Sequence, residues 1–453
     1  MVQIKIKTIT DLNDLKELIT DNYNDLKQYE QTVREIGAQV KSRGDQALAD
    51  YNLKFAGAEL APGDLRVSQE EIAYAYRLVD QEYLESLRSA MHNIRRFHER
   101  QLKNSIMEPD SRGVILGQIY RPLNRVGIYV PGGTAAYPSS VLMNAVPAQV
   151  AGVKEIVMVS PPGRDGRLNQ YTLVAAAEMG IKEIYKTGGA QAVFALAWGT
   201  DTIKKVDLIS GPGNIYVTLA KKIVYGEVDI DMLAGPSEIL VIADAGANPA
   251  YIAADMMSQA EHDVLARSFL VTDSADLVGQ VVKEIDSQLP GLSRKDIIKQ
   301  SLEKYGAFII TRDISEACEV ANLIAPEHLE VMVENPFEVL AMIKNAGAIF
   351  LGEYTPEPVG DYYAGPNHIL PTGGTARFYS PVGVDTFMRF SSVIYYSKTA
   401  IEQDAERIIK LAEVEGLTAH ANSIRIRKSR LPNNRIKEEQ NHYEQDRRST
   451  KKD

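Results

Sequence analysis

The sequence predicts an α/β protein built on parallel sheets, and three observations carry that expectation. From residue 125 onward, short apolar runs alternate with helical segments. The runs are apolar along their length rather than at every second position. Glycines stand just past most of the helical segments, where a left-handed residue ends a helix. Strands apolar on both faces need helices on both faces, which is the layering of a parallel α/β sheet.

Taken in order, the first hundred residues read as mostly helical. Ser68-Gln69-Glu70-Glu71 is a capping box, and Leu84, Leu87, Met91 and Ile94 follow at helical spacing. The alternation then runs through strand 127–130, broken by Pro131-Gly132-Gly133, helix 139–151, strand 155–160, helix 170–179 and strand 183–186. It continues with helix 190–198, strand 206–210, helix 214–225 and strand 237–243. A second α/β stretch has strands 268–272, 307–311, 329–333 and 348–352. Residues 360–381 are rich in Gly and Pro and lack periodicity. Residues 399–415 form a last helix, 423–427 a short β-run, and 428–453 a polar tail expected to be disordered. No internal sequence repeat is visible, although the two stretches share a pattern.

Composition narrows the chemistry. The chain has 453 residues, a net charge of −10, seven His and one Cys. An acidic chain offers no electrostatic footing for nucleic acid or an anionic membrane. One cysteine rules out an internal disulfide and thiolate zinc or iron–sulfur sites. A metal would have to be held by His, carboxylates or amides. No window approaches the roughly 18 apolar residues of a membrane span, and no signal-peptide core is present, so the cytoplasm is the expected compartment.

Three glycine turns stand where a strand meets a helix: Pro131-Gly132-Gly133, Gly188-Gly189-Ala190-Gln191 and Gly211-Pro212-Gly213-Asn214. The G-x-G-x-x-G fingerprint is absent. Each turn alone reads as a tight βα connection; three on one sheet edge shift the balance towards a nucleotide. Among the histidines, His92 and His98 read as solvated or half-buried on an Arg-rich helix, and His442 falls in the tail. His262 ends a helix capped by Asn248-Pro249, with Gln259 three residues earlier on the adjoining face. Glu327-His328 opens a buried strand, a pairing suited to acid–base work and equally readable as strand-edge polarity. Asp361 and His368 occupy the aperiodic stretch, and His420 follows a helix closed at Gly416. Gln259, His262, Asp361 and His420 would make a nitrogen–oxygen set fitting zinc. Cys318 and Trp198 read as packing.

With these blocks in view, the chain resembles histidinol dehydrogenases from about residue 25 to 427. The likeness rests on Gly127-Ile128-Tyr129-Val130-Pro131-Gly132-Gly133, Gly188-Gly189-Ala190-Gln191-Ala192, Gly211-Pro212-Gly213-Asn214 and Asp231-Met232-Leu233-Ala234-Gly235-Pro236-Ser237-Glu238. It also rests on Ser258-Gln259-Ala260-Glu261-His262, Ala325-Pro326-Glu327-His328-Leu329-Glu330, the 361–368 loop and Glu415-Gly416-Leu417-Thr418-Ala419-His420. The resemblance implies two incomplete Rossmann-like, aldehyde dehydrogenase-like parallel-sheet domains, with a helical N-terminal segment and a small C-terminal dimerisation segment. The implied division is 1–25 helical, 26–124 with 238–379 as the first domain, 125–237 as the NAD-binding domain, 380–427 swapped between subunits, and 428–453 as tail.

The resemblance further implies oxidation of L-histidinol through L-histidinal to L-histidine, with two NAD reduced and one zinc per subunit. Gln259, His262, Asp361 and His420 match the zinc ligands, which also border substrate, and Glu327 and His328 match the catalytic pair. Ser237, His328, His368 and Glu415 match substrate contacts; Tyr129, Gln191 and Asn214 match positions contacting NAD. A homodimer is implied, with His420 and Glu415 completing the partner's site. Ser380-Pro381 departs from the usual Ser-Gly, away from these positions. On this reading His328 takes the alcohol proton and Glu327 activates the water that adds to the aldehyde. A related dehydrogenase for another amino alcohol or diol, and a zinc hydrolase without nicotinamide, are the competing assignments.

Overall fold

The computed structural model describes residues 2–8, 15, 26–132 and 136–429. In chain order its strands are β1 (Lys5–Thr8), β2 (Ile106–Pro109), β3 (Ile115–Pro122), β4 (Arg125–Tyr129), β5 (Glu155–Ser160), β6 (Glu183–Lys186), β7 (Leu208–Ser210) and β8 (Asp229–Ile230). They continue with β9 (Glu238–Ala243), β10 (Arg267–Thr272), β11 (Ala307–Ile310), β12 (His328–Met332), β13 (Ala348–Leu351) and β14 (Met388–Tyr395). The chain divides into two compact units, residues 1–102 with 122–388 and residues 103–121 with 389–453.

The first unit carries two parallel sheets, ordered β6-β5-β4-β7-β8 and β1-β11-β10-β9-β12-β13. Setting β1 aside, the two orders are the same. A central strand is extended by two on one side, and the chain then returns to the other. The two stretches therefore share a topology without a visible sequence repeat. Strands β4, β9, β10 and β12 are buried along their whole lengths, as their mostly apolar runs lead one to expect. Each sheet acquires a switch point where the chain returns, between β4 and β7 in one and between β9 and β12 in the other.

Two expectations for the N-terminal part are corrected. Residues 5–8 form a strand, not a helix, paired with β11. The alternation Val2, Ile4, Ile6 is a period of two, and Val2 is buried while Ile6 is exposed. Residues 9–14 and 16–25 lie outside the described residues. The helices of residues 26–98, grouped with 238–379 from the sequence, pack on the first sheet instead. Helix Leu26–Arg43 brings Val33, Ile36 and Val40 against Tyr129, Val157 and Phe194. Helix Gln81–His98 brings Leu87 and Ile94 against Val126, Ile128 and Met143. Each large apolar side chain so buried contributes about 1.5–3 kcal/mol. His98, read as solvated or half-buried, is fully buried, its Nδ1 within 2.8 Å of the Ile94 carbonyl.

In the second unit β14, β3 and β2 form a sheet, with β2 and β3 antiparallel. Helices Lys398–Val414 and Thr418–Ser429 pack on one another. The β-run expected at 423–427 lies within the second helix. Ser423-Ile424-Arg425-Ile426-Arg427 alternates like a strand, but Arg427 donates to the Ser423 carbonyl (2.7 Å) and Arg425 reaches Glu413 of the preceding helix. The tail from 430 lies outside the described residues.

Candidate active site

Chemistry-bearing side chains gather at the N-terminal end of the second sheet. Asn248 caps helix Pro249–Ala260, its Oδ1 accepting from Ala250 N (3.0 Å). That helix sets Asp255, Gln259 and, two residues past its end, His262 along one side. Helix Ile314–Ile324 ends at Ala325, the one non-glycine among the described residues with a positive φ, at 52°. This left-handed residue turns the chain through Pro326 into Glu327 and His328. Such strain is typical of sites where a side chain must be aimed.

His328 is buried, and its Nδ1 donates to the Glu238 carbonyl at 3.0 Å. This bond leaves Nε2 as the free edge, 3.7 Å from Asp361 Oδ1 and 3.8 Å from Glu357 Oε1, with no hydrogen-bond partner. Burial alone would lower the imidazole pKa, but Glu357, Glu327 and Asp361 together hold it well above the ordinary value. Glu327 Oε2 accepts from Glu238 N at 2.9 Å, and burial pushes this carboxyl up to about 8. Burial also raises Glu238 to about 7; its Oε1 accepts from Gly373 N (3.1 Å) while Oε2 has no partner. Asp361 behaves oppositely. Burial opposes its charge, yet His328, His368 and His262 hold its pKa below the usual carboxylate range. His368 Nδ1 lies 3.0 Å from the Asp361 carbonyl, and burial lowers its pKa.

Single atoms of His262, Glu357 and Asp361 all lie within 4.8 Å of one another. Gln259, fully buried, presents its amide to the same place. The amide atom on that side stands 3.0 and 3.2 Å from the two Glu357 oxygens and 3.1 Å from His328 Nδ1. Imidazole, amide and carboxylate donors with an uncompensated negative charge make a set that fits zinc. Beside the set lies a cavity of about 740 Å³, bordered by Phe97, Asp231, Phe350, Asp361, His368 and Leu370.

Sequence reasoning found Gln259, His262, Glu327, His328, Asp361 and His368, and the structure brings all six to this end of the sheet. Ser237 immediately precedes β9 and Glu238. Glu238, Glu357, Glu330 and Asp255 were missed. Glu330 Oε1 accepts from Glu357 N (2.8 Å) and its carboxyl pairs with Asp255, which burial raises to about 6. None of the four stands out among sixty acidic residues until its burial is seen.

A second concentration lies at the opposite end of the other sheet, after β4 and β7. The Gly211 N–H donates to Asp231 Oδ2 (2.7 Å), and Lys221 Nζ donates to the Gly211 carbonyl (3.1 Å) and pairs with Asp231. Gly211 has φ +122°, and a Cβ there would stand 2.1 Å from the Tyr129 carbonyl oxygen, so only glycine fits. Tyr129 is buried, its hydroxyl oxygen accepting from Gly189 N (3.0 Å), and burial pushes the phenol to about 12. Gln191 is buried with Oε1 unpartnered, and Asn214 Oδ1 caps helix Ile215–Val224. Backbone N–H groups at two helix starts beside glycine turns suit a phosphate. Gly133 lies outside the described residues. In the second unit, Glu415 closes helix Lys398–Val414 and His420 stands in the first turn of the next helix; both are exposed.

Among known proteins, a sequence model of the histidinol dehydrogenase family matches residues 19–428. The chain is 60% identical to a histidinol dehydrogenase of Heliobacterium mobile over 395 residues, covering 87% of this chain and 92% of the relative. It is 55% identical to that of Carboxydothermus hydrogenoformans, covering 91% and 98%. The crystal structure of histidinol dehydrogenase from Elizabethkingia anophelis superposes with a TM-score of 0.89 at 40% identity, covering 95% of this chain and 99% of that one.

Proposed function

The chain belongs to the histidinol dehydrogenase family, which performs the final two oxidations of histidine biosynthesis, and from that premise we propose how its residues divide the work. The substrate is L-histidinol, converted through L-histidinal to L-histidine with two NAD reduced. The observation that carries this reading is the clustering of His328, Glu327, Asp361, His262 and Gln259 around one donor set that runs from buried Gln259 to exposed His262.

Gln259, His262 and Asp361 hold one zinc per subunit, with His420 of a second copy completing the set. Bound there, the ion would clamp the substrate's imidazole and amine and orient its alcohol carbon. Tyr129, Gln191 and Asn214 with the glycine turns hold NAD, the hydride acceptor. Their structural duties differ: Tyr129 and Asn214 shape the turns, whereas the free Oε1 of Gln191 is available to a ligand.

His328 accepts the alcohol proton at Nε2, the edge its bond to Glu238 leaves free. Glu327, exchanging a proton near neutrality, takes one from the water that adds to the aldehyde. As that water adds, His328 returns its proton to the aldehyde oxygen, and it takes the proton back as the second hydride leaves for the second NAD. Ser237 and His368 border the substrate, and Glu415 of the second copy closes over it. A homodimer is supported by apolar side chains left exposed on the second unit: Ile394 (72%), Leu411 (68%) and Val414 (73%). Among the described residues no helix is long and apolar enough to cross a membrane. A cytoplasmic site of action, without nucleic-acid or membrane partners, suits the chemistry and the single buried cysteine.

The test is stoichiometric. Purified protein given limiting L-histidinol and excess NAD is expected to yield two NADH per histidinol and to carry one zinc per chain. A yield of one, or no dependence on NAD, would overturn the assignment.

A further inference from the structure

We propose that Pro147 and Asn367 form a clamp that positions the loop bearing Asp361 and His368; this rests on the histidinol reading above and adds two positioning residues to it. Helix Pro138–Ala151 packs on the first sheet and carries Pro147, buried, in its interior. In an α-helix the N–H of residue 147 would bond the carbonyl of residue 143. Proline has no N–H, so the Met143 carbonyl lacks its helical donor in a fully buried stretch. Asn367 supplies the donor instead: it is itself buried, and its Nδ2 donates to that carbonyl at 2.6 Å. A proline that costs the helix one bond thus creates an acceptor for a side chain 224 residues further along the chain.

The other end of the Asn367 amide serves the site. Its Oδ1 accepts from Ile369 N (2.9 Å), closing a turn around His368, whose Nδ1 lies 3.0 Å from the Asp361 carbonyl. One amide therefore ties His368, and through it Asp361, to a helix of the first sheet. The next residue of that helix holds the glycine turn: Asn144, fully buried, accepts at Oδ1 from Ser210 Oγ (2.6 Å), and Ser210 precedes Gly211. Met143 and Asn144 thus fasten the substrate loop and the glycine turn to one helix. The loop has a second, exposed fastening, from Asn93 Nδ2 to the Tyr363 carbonyl (3.1 Å), so loss of the Asn367 bond loosens it without detaching it.

The decisive variant is Pro147→Ala, which supplies the missing N–H. That N–H competes with Asn367 for the Met143 carbonyl, while alanine is the better helix former. P147A should therefore melt close to wild type, yet in metal-free protein its backbone amides at 361–369 should exchange about tenfold or more faster. With zinc and NAD supplied, its KM for L-histidinol should rise about fivefold, with kcat changed less and KM for NAD unchanged. Asn367→Ser keeps an oxygen for the Ile369 N–H but is too short to reach the carbonyl, and it should behave likewise. The double variant should be no worse than N367S alone, because both changes remove the same bond. Effects that add, or wild-type exchange at 361–369 in P147A, would overturn the clamp. Faster exchange with an unchanged KM for L-histidinol would overturn its positioning role. Should N367S fold poorly, P147A decides by the same two readings. If wild type itself does not oxidise L-histidinol, the functional reading has failed, and the exchange comparison still judges the clamp.

Discussion

At the start of β4, Arg125 reaches Glu155 (2.6 Å) and Glu183 (2.7 Å) across the neighbouring strands. At the start of β9, the topological equivalent of β4, stands Glu238, and one strand away stands His328, each with a buried unpartnered atom. The same edge of the same strand order is thus closed by ion pairs in one sheet, although Arg125 Nε has no partner, and left chemically open in the other. The opposite edges reverse the assignment. The C-terminal edge of the first sheet has the glycine turns at its switch point, whereas Asp244 after β9 accepts from the backbone of Gly246 and Glu334. The topology offers two crevices per sheet, and the two sheets differ in what each leaves accessible: buried carboxyl and imidazole groups in the second, glycine turns in the first.

The largest effects fall on the open edge. His328→Asn is expected to abolish both oxidations, lowering kcat by about 10³ or more, because no other side chain presents a base at Nε2. Glu327→Gln is expected to spare much of the alcohol step and to lose aldehyde oxidation. Separate assays with L-histidinol and L-histidinal measure this, and equal loss of both steps in E327Q would end the division of labour. At the glycine turns, Asp231→Asn removes the partner of buried Lys221 and frees the Gly211 N–H. Breaking such a pair costs about 3–5 kcal/mol. Among molecules that remain folded, KM for NAD should rise while zinc content stays at wild-type level. Loss of zinc with unchanged KM would contradict the separation of the two edges.

The sealed edge supplies the contrast. Arg125→Met should lower stability by about 2–3 kcal/mol, since charged hydrogen bonds at a mostly buried guanidinium are lost. Its kcat and KM at 25 °C should match wild type. A fall in kcat without a fall in melting temperature would show that this edge also takes part in catalysis.

Legibility in the sequence followed the same line. The alternation of apolar runs and helices, with Gly152 closing helix Pro138–Ala151, exposed both sheets because burial and capping are local demands. Their shared strand order was not legible, since pairing is set by tertiary packing between segments far apart. His262, His328 and His368 stood out because imidazoles are few, and Asp361 because it shares the aperiodic stretch with His368. Glu238, Glu330 and Glu357 were not, because a glutamate among sixty acidic residues carries no mark until its burial is seen. Period-two patterns misled in both directions: residues 5–8 obey theirs, and 423–427, bonded to Glu413, do not.

The smallest predicted effect separates the edges by pH. Burial holds Glu238 at about 7 and Glu327 at about 8, and neighbouring carboxylates hold His328 above its usual value. All three bind protons more tightly folded than unfolded. Above about pH 4.5 the unfolded chain begins to release protons that the folded chain keeps, so this contribution to stability is full at low pH and lost as pH rises towards 8. Asp361, depressed, acts in the opposite sense only below about pH 4, and His368 and His98, lowered by burial, offset part of the slope around pH 6. The metal-free protein should therefore melt several degrees lower at pH 8 than at pH 5.5, and Arg125→Met should show the same slope from a lower starting point. Zinc, binding the deprotonated set, should restore more stability at pH 8 than at pH 5.5. A metal-free melting temperature that climbs across this range would mean that the buried carboxylates of the second sheet are already ionised and compensated, and the contrast between the two edges would be lost.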